Sequence, residues 1–469
     1  MLIMHLFTFW ATSITLSCFC DLALSKAVED DTLHRDVVVI GGGASGTYTA
    51  VRLKDENKTV AVIEKKSTLG GHAETYVDPH TGYTIDIGVR LFNHLKVVTD
   101  YFARFDVPLT ILSSTVQPEY IDFSTGQNVT YTAPGPEALG AALAAYQTQL
   151  EKYPDLQKGF NMTYPVEPDL LLNFGEFVTK YGLEALVPQI FITNQGYAPL
   201  LNISTLYMFK YFNAAQVSSF SAGYLTTVSH NMQELYQKAT TFLGDDVLLD
   251  SAVLSMNRTD PGAGPVQILV QTPTGQKLIV AKKVVSTIPP LLDNLGGYDL
   301  ASDETALFAQ FSSNGYYTGL LNNTGLNFVA YNSDSRRPYN VPELPGLYLM
   351  QDNQGLTQVY YASPTVLPDD EVKADILAIV RRVQEARGVV VGADVDVKGT
   401  PEWLAFSSHA PFNLEVSNNA VSDGFYKKLF ELQGKRNTFW NGAAWHTQDS
   451  TALWQFTEDY VLPMILASL

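Results

Sequence analysis

A glycine-rich turn directly after a short apolar run is the feature that most constrains how this chain folds. Residues 36–40 form the apolar run, which predicts a strand, and Gly41, Gly43 and Gly46 follow it in a G-x-G-x-x-G pattern. In such a turn the first glycine permits the tight bend, the second lets the backbone approach a pyrophosphate, and the third lets a helix pack closely on the strand. The pattern predicts a dinucleotide site, with a chance glycine turn as the alternative.

The residues after this turn extend the pattern into a full nucleotide-binding unit. Ala44 and Ser45 begin the predicted helix, whose free N–H groups and positive dipole end favour phosphate. A second apolar strand, residues 59–63, ends on Glu64, which lies 18 positions beyond Gly46. A carboxylate at about that spacing accepts hydrogen bonds from a ribose and disfavours a 2′-phosphate. We therefore predict an α/β fold, with an exposed carboxylate at a strand end as the alternative for Glu64.

Length and composition limit the class of protein and its partners. A chain of 469 residues exceeds one ordinary core, so we expect two domains. Its content of 46% hydrophobic and 17% charged residues is typical of a globular protein. The net charge of −18 argues against nucleic acid and anionic membranes as partners. The eight histidines show no spacing of metal ligands, so we predict no metal site.

The amino-terminal segment predicts entry into the secretory pathway. Residues 6–20 are nearly free of charge, and small residues follow, which indicates a signal peptide over residues 1–27, with an uncleaved anchor as the alternative. Both cysteines, Cys18 and Cys20, lie inside it. No other run is apolar enough for a membrane span. A secreted or vacuolar glycoprotein would use the acceptor sequons at Asn57, Asn128, Asn161, Asn202, Asn257 and Asn322.

A second glycine turn, Gly70-Gly71-His72, follows Glu64 and carries a family resemblance. With it the chain resembles the flavin monoamine oxidase superfamily. The likeness is greatest to the fungal β-cyclopiazonate dehydrogenase family, through the sequences GGHAETY at 70–76 and NGAAWH at 441–446. The resemblance implies FAD as the cofactor, held by both glycine turns and by Glu64.

The same resemblance implies further cofactor contacts and a domain organisation. Val89 and Arg90 would pass the isoalloxazine ring, Val253 would meet adenine through its backbone, and Gly442 would precede a helix aimed at the flavin. The expected fold is a discontinuous Rossmann-type FAD-binding domain with an inserted α+β substrate domain. The FAD-binding segments are predicted at 34–100, 237–295 and 405–469, and the substrate domain at 101–236 and 296–404.

Two departures from the superfamily pattern weaken the case for an ordinary amine substrate. His72 replaces the usual arginine, so phosphate would meet an imidazolium or backbone amides alone. His72 could instead carry the flavin through an 8α-histidyl bond, or merely bond its neighbours in the turn. The lysine that amine oxidases hold near the flavin has no counterpart in residues 312–317.

Candidates for catalysis cluster near the carboxyl terminus. His446 is the predicted base near the flavin, because the pKa of histidine lies near neutrality. Trp440, Trp445 and Trp454 would form an aromatic face for a flat apolar substrate, with core packing as the alternative. The tyrosine pair at 316–317 is more typical of strand packing than of catalysis.

Together with the predicted dinucleotide site, the resemblance implies an FAD-dependent oxidoreductase of fungal secondary metabolism. The resemblance implies dehydrogenation, with oxidative cyclisation in some cases, of a prenylated indole or related natural-product intermediate by hydride transfer to flavin. Its partner would be a small apolar or aromatic molecule, and the sequence does not indicate the electron acceptor. The alternatives are a flavin isomerase or desaturase of a fatty acid or terpenoid, an amine oxidase, and a non-catalytic FAD-binding protein.

Overall fold

The computed structural model describes residues 32–112, 116–193, 197, 199–389 and 399–469. The predicted signal peptide, residues 1–27, lies outside the described residues. Two seven-stranded sheets form the framework of the described part. The helices span Ala44–Asp55, Lys96–Arg104, Pro136–Leu150, Phe174–Tyr181, Val187–Thr193, Thr205–Tyr211, Ala214–Ala222, Gln233–Leu243, Ser302–Phe308, Asp369–Ala386, Asn418–Ser422, Phe425–Phe430, Ser450–Phe456 and Leu462–Ser468.

The first sheet contains the strand that precedes the glycine turn. Leu33–Ile40 pairs in parallel with Val60–Ile63 on one side and with Gly275–Ser286 on the other. The carboxyl-terminal half of Leu33–Ile40 and all of Val60–Ile63 are buried, as both faces of a parallel sheet are usually covered. In order, the strands are Ala252–Asn257, Val266–Thr272, Gly275–Ser286, Leu33–Ile40, Val60–Ile63 and Val247–Leu248, and Thr438–Trp440 also pairs with Gly275–Ser286.

The second sheet is mainly antiparallel and is covered on one face by the long helix Asp369–Ala386. Apolar side chains of this helix, among them Val372, Ile376 and Val380, pack on Tyr317 of the sheet. The opposite face turns toward the first sheet. In order, the strands are Glu402–Ser408, Gly315–Asn322, Leu356–Ser363, Gly346–Asn353, Val329–Asn332, Glu119–Asp122 and Gln127–Asn128.

Three two-stranded antiparallel sheets complete the strands. They pair Thr75–Val77 with Thr84–Asp86, Leu109–Ile111 with Leu225–Thr227, and Ser312–Ser313 with Leu414–Glu415. Together with the Rossmann-like first sheet, this mixed content confirms the α/β fold class.

One predicted domain boundary falls in the middle of a strand. Glu402–Ser408 crosses the boundary predicted at residue 405, and it pairs along its length with Gly315–Asn322 of the second sheet. A strand belongs to the sheet that takes its backbone hydrogen bonds, so this boundary lies after Ser408. The boundary was misplaced because the residue pattern of a strand does not reveal which sheet it joins.

Candidate functional site

A cavity of about 530 Å³ lies where the glycine turns meet the second sheet. Its volume is within the range usual for ligand and cofactor pockets. It is lined by most of the predicted cofactor contacts, which the fold gathers from distant parts of the chain. These are Gly41, Gly43, Ala44, Ser45, Glu64, Gly70, Gly71, His72, Val89, Arg90, Val253 and Gly442.

The first glycine turn leaves no room for a side chain at Gly46 and little at Gly41. Gly41 has a φ of +97°, a conformation that residues with a Cβ rarely adopt. A Cβ on Gly46 would lie 1.8 Å from the carbonyl oxygen of Gly41, so Gly46 packs the helix onto the turn behind the cavity wall. A Cβ on Gly71 would lie 2.9 Å from the Cα of Gly43, which brings the two turns into contact. The result is a bare backbone cradle of the kind that a pyrophosphate occupies.

Glu64 closes this cradle as a fixed, buried carboxylate. Only 6% of the residue is exposed. Its Oε2 accepts a hydrogen bond from the backbone N–H of Gly42 at 2.6 Å, and its Oε1 accepts one from the N–H of Lys66 at 2.7 Å. The alternative of an exposed carboxylate therefore does not hold. Each oxygen keeps a further lone pair that can accept a ribose hydroxyl.

The carboxyl-terminal segment supplies another part of the wall. Gly442 has a φ of +112°, and a Cβ there would lie 3.1 Å from the carbonyl oxygen of Thr287. The helix Ser450–Phe456 then begins at Asp449, whose Oδ1 accepts a hydrogen bond from the N–H of Thr451 at 2.9 Å. Asp449 lines the cavity, and burial raises the pKa of its carboxyl group.

The second sheet contributes an aromatic end that sequence reasoning missed. Tyr316, Tyr348 and Tyr360 line the cavity from three neighbouring strands, and Phe412 joins them from the loop after Glu402–Ser408. The ring centroids of Tyr316 and Phe412 are 4.9 Å apart. The sequence pattern that could have indicated this aromatic end is an aromatic residue beside an apolar one in each strand. The pattern was insufficient, because only strand pairing brings the three tyrosines together.

His72 and His409 meet at the centre of the wall. Their ring centroids lie 4.9 Å apart with the rings nearly perpendicular. Burial and the neighbouring His409 lower the pKa of His72 to about 3. Burial likewise lowers the pKa of His409 to about 4. Both rings are therefore neutral at neutral pH, and His72 does not offer phosphate an imidazolium, contrary to one expectation from the sequence.

The hydrogen bonds around His409 identify which ring nitrogen carries its proton. The Thr318 hydroxyl donates to the carbonyl oxygen of Ile87. Thr318 Oγ1 can therefore only accept from His409 Nε2, which lies 3.2 Å away, so Nε2 carries the hydrogen. Within the described residues His409 Nδ1 has no hydrogen-bond partner. It remains a lone pair on a residue of the cavity wall.

The structure does not bring His446 into this cavity, which corrects the prediction of a base there. Its Nε2 lies 3.0 Å from the carbonyl oxygen of Gln157, and its ring packs against Phe456 with centroids 5.5 Å apart. Burial holds the pKa of His446 well below its usual range. The sequence could not separate this interior histidine from His409, because only chain folding decides which ring reaches the cavity.

The three tryptophans form core instead of a substrate face. Trp440 and Trp445 stack on each other with centroids 5.5 Å apart. Trp454 stacks on Tyr48 and on Phe92 at 5.5 and 5.4 Å. All three indoles are fully buried and none lines the cavity, so the packing alternative explains them.

Comparison with known proteins identifies the family. Residues 39–105 match the model of an NAD(P)-binding Rossmann-like domain. The chain is 40% identical to the FAD-dependent oxidoreductase oblC of Cochliobolus heterostrophus, over 95% of this chain and 94% of that protein. It is 34% identical to the beta-cyclopiazonate dehydrogenase of Aspergillus flavus, over 96% of this chain and 97% of that protein. The chain belongs to the FAD-dependent oxidoreductase family of these enzymes.

Solved structures confirm the fold of this FAD-dependent oxidoreductase. A fatty acid isomerase from P. acnes that produces CLA superposes with a TM-score of 0.72 at 18% identity, covering 92% of this chain and 98% of that chain. Putrescine oxidase superposes with a TM-score of 0.65 at 17% identity, covering 93% and 100%. These likenesses place the chain in the fold of the flavin amine oxidases.

The residues of the cavity fit the FAD that the family uses. The bare cradle of the two glycine turns suits the pyrophosphate, and the buried carboxylate of Glu64 suits the adenosine ribose. Within the described ranges no three His, Cys, Asp or Glu side chains are grouped as metal ligands. None of the helices that the structure describes is long and apolar enough to cross a membrane.

Proposed function

We propose that this FAD-dependent oxidoreductase dehydrogenates a flat, mostly apolar aromatic intermediate of fungal secondary metabolism, such as a prenylated indole. One observation carries the proposal: a single cavity has the glycine cradle on one side and the aromatic end of the second sheet on the other. Aromatic side chains favour planar apolar ligands by stacking and by burial of area. The name of the relative beta-cyclopiazonate dehydrogenase supports this substrate class.

The protein's own groups orient the substrate and exclude water. When bound, FAD accepts the hydride that leaves an activated C–H bond of the substrate. Tyr316 and Phe412 pack against the flat ring system of the substrate, which keeps that bond in one position. The low pKa of His409 keeps its imidazole neutral, so this part of the wall adds no positive charge beside the substrate. An internal nucleophile of the substrate then traps the electron-poor carbon and closes a ring.

The test uses the purified holoenzyme without oxygen. We expect β-cyclopiazonate to bleach the oxidised flavin absorption in a single turnover and to yield a product two hydrogens lighter. Net conversion with no bleaching and no added acceptor would instead identify an isomerase. Bleaching by simple amines alone would identify an amine oxidase. Neither bleaching nor conversion with aromatic, lipid and amine substrates would leave only an FAD-binding protein.

We also infer a location in the secretory pathway for this enzyme. The proposal rests on the uncharged run at residues 6–20 and on the acceptor sequons. Five acceptor asparagines are exposed, as glycosylation requires: Asn57, Asn128, Asn161, Asn202 and Asn257. Protein from the native secretory route should lose mass on endoglycosidase treatment and lack residues 1–27. An unglycosylated chain that retains its first residues in the cytosol would contradict the proposal.

A further inference from the structure

Arg90 presents to the aromatic end of the cavity a positive charge that has no direct ion-pair partner among the described residues. The residue is half-buried and lines the cavity wall. Its guanidinium carbon lies 5.8 Å from the ring centroid of Tyr360. Across the part of the chain that the structure describes, Arg90 forms no salt bridge, and its guanidinium donates no hydrogen bond. A guanidinium removed from water without a partner is costly unless a ligand supplies the opposite charge.

No carboxylate pairs directly with Arg90 within the described residues. The Asp86 carboxylate favours the charged guanidinium from a distance, and its Oδ1 accepts from Thr75 Oγ1 at 2.5 Å and from the N–H of Met232 at 2.8 Å. The two histidines of the wall are neutral at neutral pH, as shown above. Of the other cations in the wall, Lys66 pairs with Glu74 at 2.5 Å, whereas Lys65 is exposed to solvent.

The groups facing Arg90 belong to the second sheet, on the side opposite the glycine cradle. Tyr360, Tyr316 and Tyr348 are the tyrosines that influence the pKa of Arg90 most. Burial raises the pKa of the Tyr360 hydroxyl, so it stays protonated. Its oxygen accepts a hydrogen bond from Gln351 Nε2 at 3.1 Å, which leaves its own proton available to an acceptor. A guanidinium fork and a neutral phenol together form a donor set for an anion.

We propose that Arg90 binds a planar, delocalised oxyanion of the substrate, a carboxylate or the enolate of a 1,3-dicarbonyl, while Tyr360 donates a further hydrogen bond to it. The guanidinium fork matches two oxygens on a rigid plane, which a lysine does not. This inference rests on the proposed function, because it assigns the aromatic end of the cavity to substrate. It adds that the aromatic substrate is an acid.

The experiment measures binding of two acidic compounds and one neutral one by calorimetry, which needs no flavin signal. The acids are 2-naphthoate and 2-acetyl-1,3-indandione, and the neutral analogue is 2-naphthamide. Holoenzyme with Arg90→Gln should bind one or both acids about 10- to 100-fold more weakly than the wild type does. Its affinity for the neutral amide should stay within about twofold of the wild-type affinity. Arg90→Lys should give an intermediate loss. Lys65→Gln, which removes an exposed cation of the same wall, should leave acid binding unchanged.

Several outcomes would overturn the inference. The first is a wild type that binds the acids and the amide with equal affinity. The second is an Arg90→Gln variant that loses the same factor in affinity for the acids and for the amide. The third is a Lys65→Gln variant that loses as much affinity for the acids as Arg90→Gln does. Loss of FAD from Arg90→Gln would show that Arg90 serves the flavin instead. The relative affinities of naphthoate and the dione distinguish a carboxylate from an enolate. The anaerobic bleaching experiment tests the proposed function separately, since a neutral substrate would still bleach the flavin.

Discussion

At the scale of single residues, the chemistry of this cavity depends on neutral histidines. His72 and His409 touch edge to face in a buried wall, and desolvation favours their uncharged forms. At neutral pH both imidazoles are therefore uncharged, and Nδ1 of His409 is a lone pair buried in the wall. The wall thus adds no positive charge beside Arg90 at neutral pH.

The same histidines make stability depend on pH in a predictable direction. In the unfolded chain they take up protons near pH 6.5, whereas in the fold they do so only near about 4 for His409 and about 3 for His72. The unfolded state therefore binds more protons as the pH falls from 6.5 toward 4, and stability decreases over that window. We expect the double variant His72→Asn/His409→Asn to show a flatter decline in melting temperature than the wild type.

The control for this prediction is an exposed histidine. His80 lies in a solvent-exposed turn, so His80→Asn should retain the wild-type pH dependence. An unchanged slope in the double variant, measured by thermal unfolding between pH 4 and 7, would show that the two buried rings do not couple stability to protons.

At the scale of elements, the strand, the turn and the helix pack so closely that no side chain fits between the helix and the turn at Gly46. The helix Ala44–Asp55 lies directly on the turn because Gly46 has no Cβ. Its strand and turn residues sit next to one another in sequence, which is why the sequence alone predicted this unit and Glu64.

Gly46→Ala should therefore disrupt the unit. The new methyl group would lie 1.8 Å from the carbonyl oxygen of Gly41, so helix and turn must separate. We expect destabilisation at or above the upper end of about 1–3 kcal/mol for overpacking, together with loss of most FAD. Chemical denaturation and the flavin content of the purified protein measure the two effects.

Gly140→Ala provides the matched comparison. Gly140 lies within the helix Pro136–Leu150. Apart from its chain neighbours and the backbone of its own helix, no atom of the described residues lies within 4 Å of the position that an alanine methyl group would take there. Since alanine is the better helix former, this variant should be neutral or stabilised by about 0.5–1 kcal/mol. If both variants lost stability equally, the close approach at Gly46 would not be the cause.

At the scale of the whole molecule, one cavity joins segments that are far apart in the chain. The glycine cradle, Arg90 and the tyrosines meet only once both sheets have formed. The sequence could not predict the aromatic end or the sheet of Glu402–Ser408, because these depend on strand pairing over long separations. Resemblance supplied Val253 and Gly442, since no local pattern connects them with the first turn.

A ligand that contacts both sheets should stabilise the entire fold. Addition of FAD to protein freed of flavin should raise the melting temperature by a few degrees at about 100 times its dissociation constant, which corresponds to about 2.7 kcal/mol. Glu64→Gln should require about 10-fold or more FAD for the same rise, because the ribose loses a charged acceptor. Thermal unfolding over an FAD titration measures both.

The exposed carboxylate of Glu56 offers the control for this titration. Glu56→Gln removes a charge from the same nucleotide-binding unit, so its FAD dependence should match the wild type. If the melting temperature of Glu64→Gln depended on FAD concentration as that of the wild type does, Glu64 would not bind the cofactor. NADP should give no rise with any of the three proteins.

In each strand of the second sheet that carries a cavity tyrosine, the tyrosine that contacts the cavity is next to a residue that packs against the long helix. Tyr316 faces the cavity while its neighbour Tyr317 faces the long helix, and the pairs Tyr348 with Leu347 and Tyr360 with Tyr361 repeat this division. Successive residues of a strand point to opposite faces, so a change at one of these three tyrosines removes no direct contact with the helix behind the sheet. Such a scaffold lets lineages acquire new substrates one residue at a time, and it gives protein engineers a short set of positions to randomise.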